Sequence, residues 1–299
     1  MKEKIFKKIK KLGVFLFLKR IKIAKIILIC AAVVFAGYAI HFGIEAFLNS
    51  KIEKIGWVSD IHADRFKRRD VDSGLLRPKK YKEYLPKVFD AMRAEGINVV
   101  IATGDNTNSG DEKYAEDIER IAKEKKMKVI WVRGNHDNDG VMKILGVNKK
   151  QYYFQDINNT RIIVLDSTEY PNGEYDYSGG ISQEQLEWLK KVVKTKKQVV
   201  IAMHIPIFEE DIASVNIHDL KGNFSGVGDI LERYAELEKI LRENNNVKIV
   251  FSGHWHVSWQ KEYNGIKYYG ESALTRDGEE GAYATINLKN NQVDYKFAK

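Results

Sequence analysis

From Ile52 onward, short aliphatic runs alternate with longer segments of helical periodicity. β-Branched and aliphatic residues cluster over Ile52 to Val58, Val99 to Thr103, Val129 to Val132, Ile162 to Leu165, Val199 to Met203 and Val247 to Phe251. Each run is the length of a strand. Between them, helical spacing predicts helices over Pro86 to Glu95, Lys113 to Lys125, Ser182 to Lys194 and Gly228 to Glu243. The third opens with Ser182 and Gln185 in capping-box spacing and puts Leu186 and Leu189 on one face. The tail changes character: Tyr268 and Tyr269, Ala282 to Leu288, and Val293 to Phe297 read as strands around a turn at Asn290 and Asn291. Strands alternating with helices and ending in strands predict a layered α/β sandwich. No internal repeat or low-complexity tract interrupts residues 52–299, which read as one domain.

The N-terminal pattern is different. Ile26 to Ile40 carries no charge, and residues 23–48 together are long enough to cross ~30 Å of hydrocarbon. A basic tail, residues 1–22, precedes them. The positive-inside rule then keeps the tail cytoplasmic and sends the domain 52–299 across the cell membrane. No small-x-small cleavage site follows the apolar run, so the expectation is an uncleaved single-pass transmembrane helix contacting membrane lipid.

Charge changes the picture only once it is located. The net charge of +8 comes from the first 25 residues, which hold ten Lys and Arg against Glu3 alone; the remainder holds 39 basic and 40 acidic residues. A nucleic-acid track needs a basic face, so no nucleic acid is expected as partner, and a nuclease is the weaker enzymatic reading. Cys30 is the only cysteine. It permits neither an internal disulfide nor a thiolate metal site, so any metal must be held by His, Asp, Glu or Asn. Composition and charge leave the oligomeric state open.

The candidate chemistry lies where polar residues meet strand ends. Asp60 and His62 follow the first run, Asp105 follows the second, and Asn135 with His136 follows the third. His204 follows VVIAM, and His254 with His256 follows KIVFSG. Five strands each deliver oxygen or imidazole groups just past their carboxyl ends, where open α/β sheets place their sites. Five of the seven histidines stand in these positions. The glycines Gly104, Gly134 and Gly253 precede them and are expected to supply positive φ.

The ordered series Asp60-Ile61-His62, Gly104-Asp105, Gly134-Asn135-His136-Asp137, His204 and Gly253-His254-Trp255-His256 resembles the calcineurin-like metallophosphoesterase family over about 200 residues. The resemblance implies a four-layer α/β/β/α sandwich of two mixed sheets. It implies two divalent metal ions, Mn, Fe or Zn, with Asp60, His62 and His256 on one, Asn135, His204 and His254 on the other, and Asp105 bridging. It gives His136 the task of donating a proton to the phosphoryl or leaving-group oxygen. The implied activity is hydrolysis of a phosphomonoester or phosphodiester substrate, because two cations ~3.5 to 4 Å apart lower the pKa of a bridging water and clamp the ester.

Two positions depart from better-known branches. Asn108 stands where protein phosphatases of the family carry an Asp that orients the catalytic His, and an amide cannot stabilise an imidazolium as a carboxylate does. Met203 precedes His204 where cyclic-nucleotide relatives often have His or Asn. Three segments are candidates for shaping the substrate site: the basic stretch Arg65 to Arg69 with Arg77, the loop Phe208 to Gly228 with His218, and Tyr170 to Gly180. A membrane-anchored scaffold that keeps the fold without turnover is the reading from another class; the complete set of strand-end residues argues against it.

Overall fold

A computed structural model describes residues 30–31, 33–35, 37, 52–71, 74–147, 150–169, 179–207, 216–217 and 234–298. The chain divides into two compact units, Met1–Lys51 and Ile52–Lys299. In the first, the described residues are helical, with Val33, Val34 and Phe35 exposed. Among the described residues no helix is long and apolar enough to cross a membrane; the basic tail and most of the expected span lie outside them.

The second unit is built on two mixed sheets. One has the order β14-β13-β1-β4-β5, from Gln292–Phe297 (β14), Ala282–Asn287 (β13), Lys54–Val58 (β1), Val99–Ala102 (β4) and Lys128–Trp131 (β5). The other has the order β6-β7-β8-β10-β12-β11-β9. Its strands are Tyr153–Ile157 (β6), Thr160–Val164 (β7), Gln198–Ala202 (β8), Val247–Ser252 (β10), Ile266–Gly270 (β12), Trp259–Tyr263 (β11) and Asn216–Ile217 (β9). Within the first sheet β1, β4 and β5 run parallel, and within the second β7, β8, β10 and β12 do. A hairpin of Arg69–Val71 (β2) and Gly74–Leu76 (β3) stands apart.

Period-two alternation sorts the apolar residues into layers. Ile55, Trp57, Val99 and Ile101 meet Val200, Ala202, Ile249 and Phe251 between the sheets. Val58, Val100 and Ala102 face outward against helices Tyr81–Ala94 (α1), Glu112–Glu124 (α2) and Asp139–Ile144 (α3). Val199, Ile201 and Val250 face the other way, against Gln183–Val192 (α4) and Tyr234–Arg242 (α5). The order helix, sheet, sheet, helix is the expected four-layer sandwich.

Boundary shifts have local causes. Helix α1 begins at Tyr81 and carries Pro86 inside it. A proline at the first helical position is the commoner pattern, which made Pro86 look like a start. Helix α4 is capped as predicted, with Ser182 Oγ accepting from Gln185 N at 3.3 Å. The return half of the box is missing: Ser182 N donates to Glu169 Oε2 at 2.7 Å, while Gln185 turns to Asp166. Residues 228–233 of the last predicted helix lie outside the described residues.

Candidate metal centre

The parallel strands end at one rim, and the turns leaving them are stitched together. Asp60 N donates to Gly104 O at 3.1 Å, His62 N to Asp105 O at 2.8 Å, and Gly253 N to His204 O at 2.9 Å. This close crossing requires unusual backbone. Asp60, His62, Asp105, His254 and His256 all have positive φ, between 46° and 72°. Such conformations cost on the order of 1 kcal/mol each in L-residues and persist only where surroundings enforce them. The expected role of the glycines is therefore corrected. Only Gly104 of the three has positive φ. Gly134 and Gly253 provide space instead, since a Cβ would stand 2.0 Å from Asp105 N at Gly134 and 2.1 Å from Ser59 Oγ at Gly253.

The structure brings all eight predicted side chains together. Ligand-type atoms of Asp60, His62, Asp105 and His256 lie within 4.8 Å of one another. His62 Nε2 is 3.0 Å from His256 Nε2, and His256 Nε2 is 3.3 Å from Asp60 Oδ1. Asp105 faces both ways, with Oδ2 3.4 Å from His62 Nε2 and Oδ1 3.4 Å from His204 Nε2. His204 Nε2 is also 2.9 Å from Asn135 Oδ1, and the His254 ring lies edge-on to His204 at 5.1 Å. His136 sits at the mouth, 19% exposed, its Nε2 3.9 Å from Asp105 Oδ2.

These contacts fit divalent cations. Atoms bound at about 2.0 to 2.2 Å to one cation stand roughly 3 Å from each other, which is the spacing found. Two imidazole nitrogens at 3.0 Å share at most one proton, and His204 Nε2 faces two oxygen acceptors while its Nδ1–H donates to Thr103 O at 2.8 Å. Among the described residues, buried His62 Nδ1 and His254 Nε2 find no hydrogen-bond partner, a state that buried polar atoms normally avoid.

Electrostatics follow from burial and from Asp105. Burial holds His62 and His254 well below the usual imidazole range, so both are neutral and free to ligate. Burial opposes ionisation of Asp105 too, but His204 and His136 outweigh it and hold the carboxyl well below its ordinary value. His204 is raised to about 9 because the Asp105 carboxylate overrides the burial penalty.

Several supporting residues escaped sequence reasoning. A buried chain runs from Trp57 Nε1 to Thr103 Oγ1 at 2.9 Å, from Thr103 Oγ1 to Ser59 Oγ at 2.7 Å, and from Ser59 Oγ to Asp60 Oδ2 at 2.5 Å, aiming the Asp60 carboxylate. Asp137 accepts from Asn106 N and Nδ2, Thr107 N and Oγ1, and Gly134 N, tying the β4 turn to the β5 turn. Its place beside His136 in the Gly134 to Asp137 motif was the available signal. Of the basic stretch, Arg65, Lys67 and Arg68 are exposed and Arg77 pairs with Asp277, whereas Arg69 Nη2 reaches His136 Nε2 at 3.3 Å. Met203 is buried in the apolar cluster with α4 and α5. His218 and residues 208–215, 218–228 and 170–178 lie outside the described residues.

A four-layer sandwich with carboxylate, amide and imidazole groups converging at the strand ends defines a metal-dependent phosphoesterase. The calcineurin-like phosphoesterase family model matches residues 53–258, and the chain belongs to that family as a phosphoric ester hydrolase. A probable cyclic nucleotide phosphodiesterase of Fibrobacter succinogenes is 24% identical over 220 residues, covering 71% of this chain and 76% of that protein. Another, of Rhodococcus erythropolis, is 28% identical over 198 residues, covering 61% of this chain and 60% of its own length. A crystal structure of a dimetal phosphatase from Danio rerio superposes with a TM-score of 0.63 at 14% identity, covering 81% of this chain and 95% of the other. That likeness shows the fold alone.

Proposed function

We propose that Asp60, His62 and His256 hold one divalent cation, that Asn135, His204 and His254 hold a second, and that Asp105 is shared. Mn, Fe and Zn all suit this nitrogen and oxygen donor set. The observation carrying the reading is the symmetry of Asp105, each of whose oxygens lies 3.4 Å from a different imidazole. The cations would supply charge neutralisation on the phosphoryl oxygens and a nucleophile at neutral pH. The chain's own residues do the rest. Ser59 holds the Asp60 carboxylate, His136 N donates to Asp105 Oδ1 at 2.9 Å, the Asp137 network ties the two turns together, and the His136 ring is fixed by its Nδ1–H donating to Asn108 O at 2.7 Å. That leaves His136 Nε2, protonated in the imidazolium form, as the atom that passes a proton to the leaving-group oxygen, the ring ending neutral with its Nδ1–H still on Asn108 O.

The substrate is a phosphomonoester or phosphodiester. A cyclic nucleotide is the second reading, supported by the names of the Fibrobacter and Rhodococcus relatives. The test is turnover of p-nitrophenyl phosphate and bis-p-nitrophenyl phosphate by the full chain with added Mn. His136→Ala should keep its metal and lose about 10²- to 10⁴-fold in rate, and Asp105→Ala should lose both metal and rate. Two bound metals without turnover on either ester would instead favour the scaffold reading.

The basic segment 1–22 before the apolar run 23–48 supports a single-pass anchor with the catalytic domain 52–299 outside the cytoplasmic membrane. Protease added to intact cells should then digest the domain; protection until the cells are broken would refute this topology.

A further inference from the structure

Arg69 begins strand β2 and pairs across the hairpin with Leu76, which is fully buried. The root of the hairpin is fastened to the body, with Leu76 bridged to Arg276 and Arg77 N donating to Thr275 O at 2.9 Å. Arg69 therefore springs from a fixed platform. Its guanidinium is half-buried, and among the described residues no carboxylate pairs with it. Its neighbours are a ring nitrogen and an amide oxygen: Nη2 lies 3.3 Å from His136 Nε2, and Nη1 donates to Asn108 Oδ1.

Asn108 is the hub of this arrangement. Its main-chain carbonyl accepts from His136 Nδ1, its Oδ1 accepts from Arg69, and its Nδ2 donates to the buried Asp64 Oδ2 at 3.0 Å. Asp64 is fixed in turn by Ser109 Oγ at 3.0 Å and Arg65 N at 2.5 Å. One residue thus orients both the proton donor and an arginine beside the strand-end cluster, and among the described residues no acid cancels the arginine's charge.

We propose that Arg69 binds a phosphoryl oxygen of the substrate and gives the site a preference for a dianionic terminal phosphate over a monoanionic diester. This inference rests on the phosphoesterase reading. A guanidinium offers a planar donor pair matched to phosphate, and its attraction scales with the charge of the anion. Asn108 and Asp64 are positioning residues in this scheme.

The test uses the full chain loaded with Mn, comparing wild type, Arg69→Ala, Arg69→Gln and Arg69→Lys. Inorganic phosphate binding is measured by calorimetry, and both nitrophenyl esters are assayed for kcat and KM. Loss of one charge-assisted contact should weaken phosphate about 10- to 100-fold in Arg69→Ala and Arg69→Gln. Arg69→Lys should recover part of it. kcat/KM for the monoester should fall at least about tenfold further than that for the diester. Unchanged phosphate affinity, or equal losses on both esters, would overturn the proposal and leave Arg69 as a prop for His136. Phosphate binding is read without turnover, so a wild type that hydrolyses neither ester would sink the phosphoesterase reading while the Arg69 comparison still stands or falls on calorimetry. Metal content and melting of each variant identify misfolding, and the glutamine and lysine variants keep the test alive if alanine is not tolerated.

Discussion

His204 is buried, donates Nδ1–H to Thr103 O and turns Nε2 toward Asp105 Oδ1 and Asn135 Oδ1. Its neighbours of opposite charge are Asp105 and Asp60, and the net result is a pKa raised from 6.5 to about 9. At pH 7 about 99% of His204 is charged on that value, and the proton occupies the lone pair a cation would need. Binding must expel it. The cost is roughly 3 kcal/mol at pH 7, so loss of this proton should raise the apparent affinity of the His204 site about tenfold per pH unit, a contribution that levels off near pH 9. His62 and His254 are held below the usual range and add no comparable dependence above neutral pH. Titrating Mn into the metal-free chain in buffers of different ionisation enthalpy counts the protons released. His204 contributes close to one proton per chain at pH 7 and close to none at pH 10, on top of the proton given up by metal-bound water, so the count should fall by about one between the two. A pKa raised on folding stabilises fully below about 6.5 and loses that contribution as pH climbs through about 9, so the apo protein should lose melting temperature on alkalinisation while the loaded protein gains affinity. A proton count that does not fall between pH 7 and pH 10 would refute the reasoning.

Two further substitutions test how the site is held. Ser59→Ala removes the donor that aims Asp60 and leaves Thr103 Oγ1 only the longer contact to Val58 O at 3.4 Å; it should cost about 1 to 3 kcal/mol by denaturant melting and weaken the metal held by Asp60, and an unchanged melt with unchanged affinity would show the chain is idle. Gly134→Ala places a methyl 2.0 Å from Asp105 N, which must push the β4 and β5 turns apart, so metal content should fall with the strands still folded by circular dichroism; full metal loading would mean the turns separate freely.

Much of this site was legible because strand and ligand signals reinforce one another. A run such as VVIATG followed by Asp105 places the carboxylate whatever the exact strand boundary, so the eight residues at the rim are identifiable from sequence although α1 starts at Tyr81 and not at Pro86. What escaped was fixed by tertiary contact. The outer strands β6 and β11 carry exposed and polar positions such as Phe154, Gln260 and Glu262, and their weak alternation gave no strand signal. The Trp57, Thr103 and Ser59 chain links two strands 44 to 46 residues apart. Arg69 was one of five basic residues near the first motif, and nothing in the spacing separates it from exposed Arg68. The hairpin that does so is defined by Leu76 reaching the core.

Asn108 shows how a single departure reorganises the mouth of the site. A carboxylate at this position would lie against Arg69 and neutralise it, and would add a second negative group near Asp105, 3.9 Å from His136 Nε2. An amide separates the two tasks. Its oxygen holds the guanidinium without cancelling its charge, and its nitrogen is absorbed by Asp64, one residue farther from the cluster. His136 is oriented by a main-chain carbonyl that no side-chain substitution removes. The carboxylate that would have steadied an imidazolium is thus displaced behind the amide, and the positive charge at the mouth is carried by an arginine that cannot lose its proton. On this geometry the loss in proton-donor support and the gain in anion attraction have one origin, the exchange of an acid for its amide at residue 108.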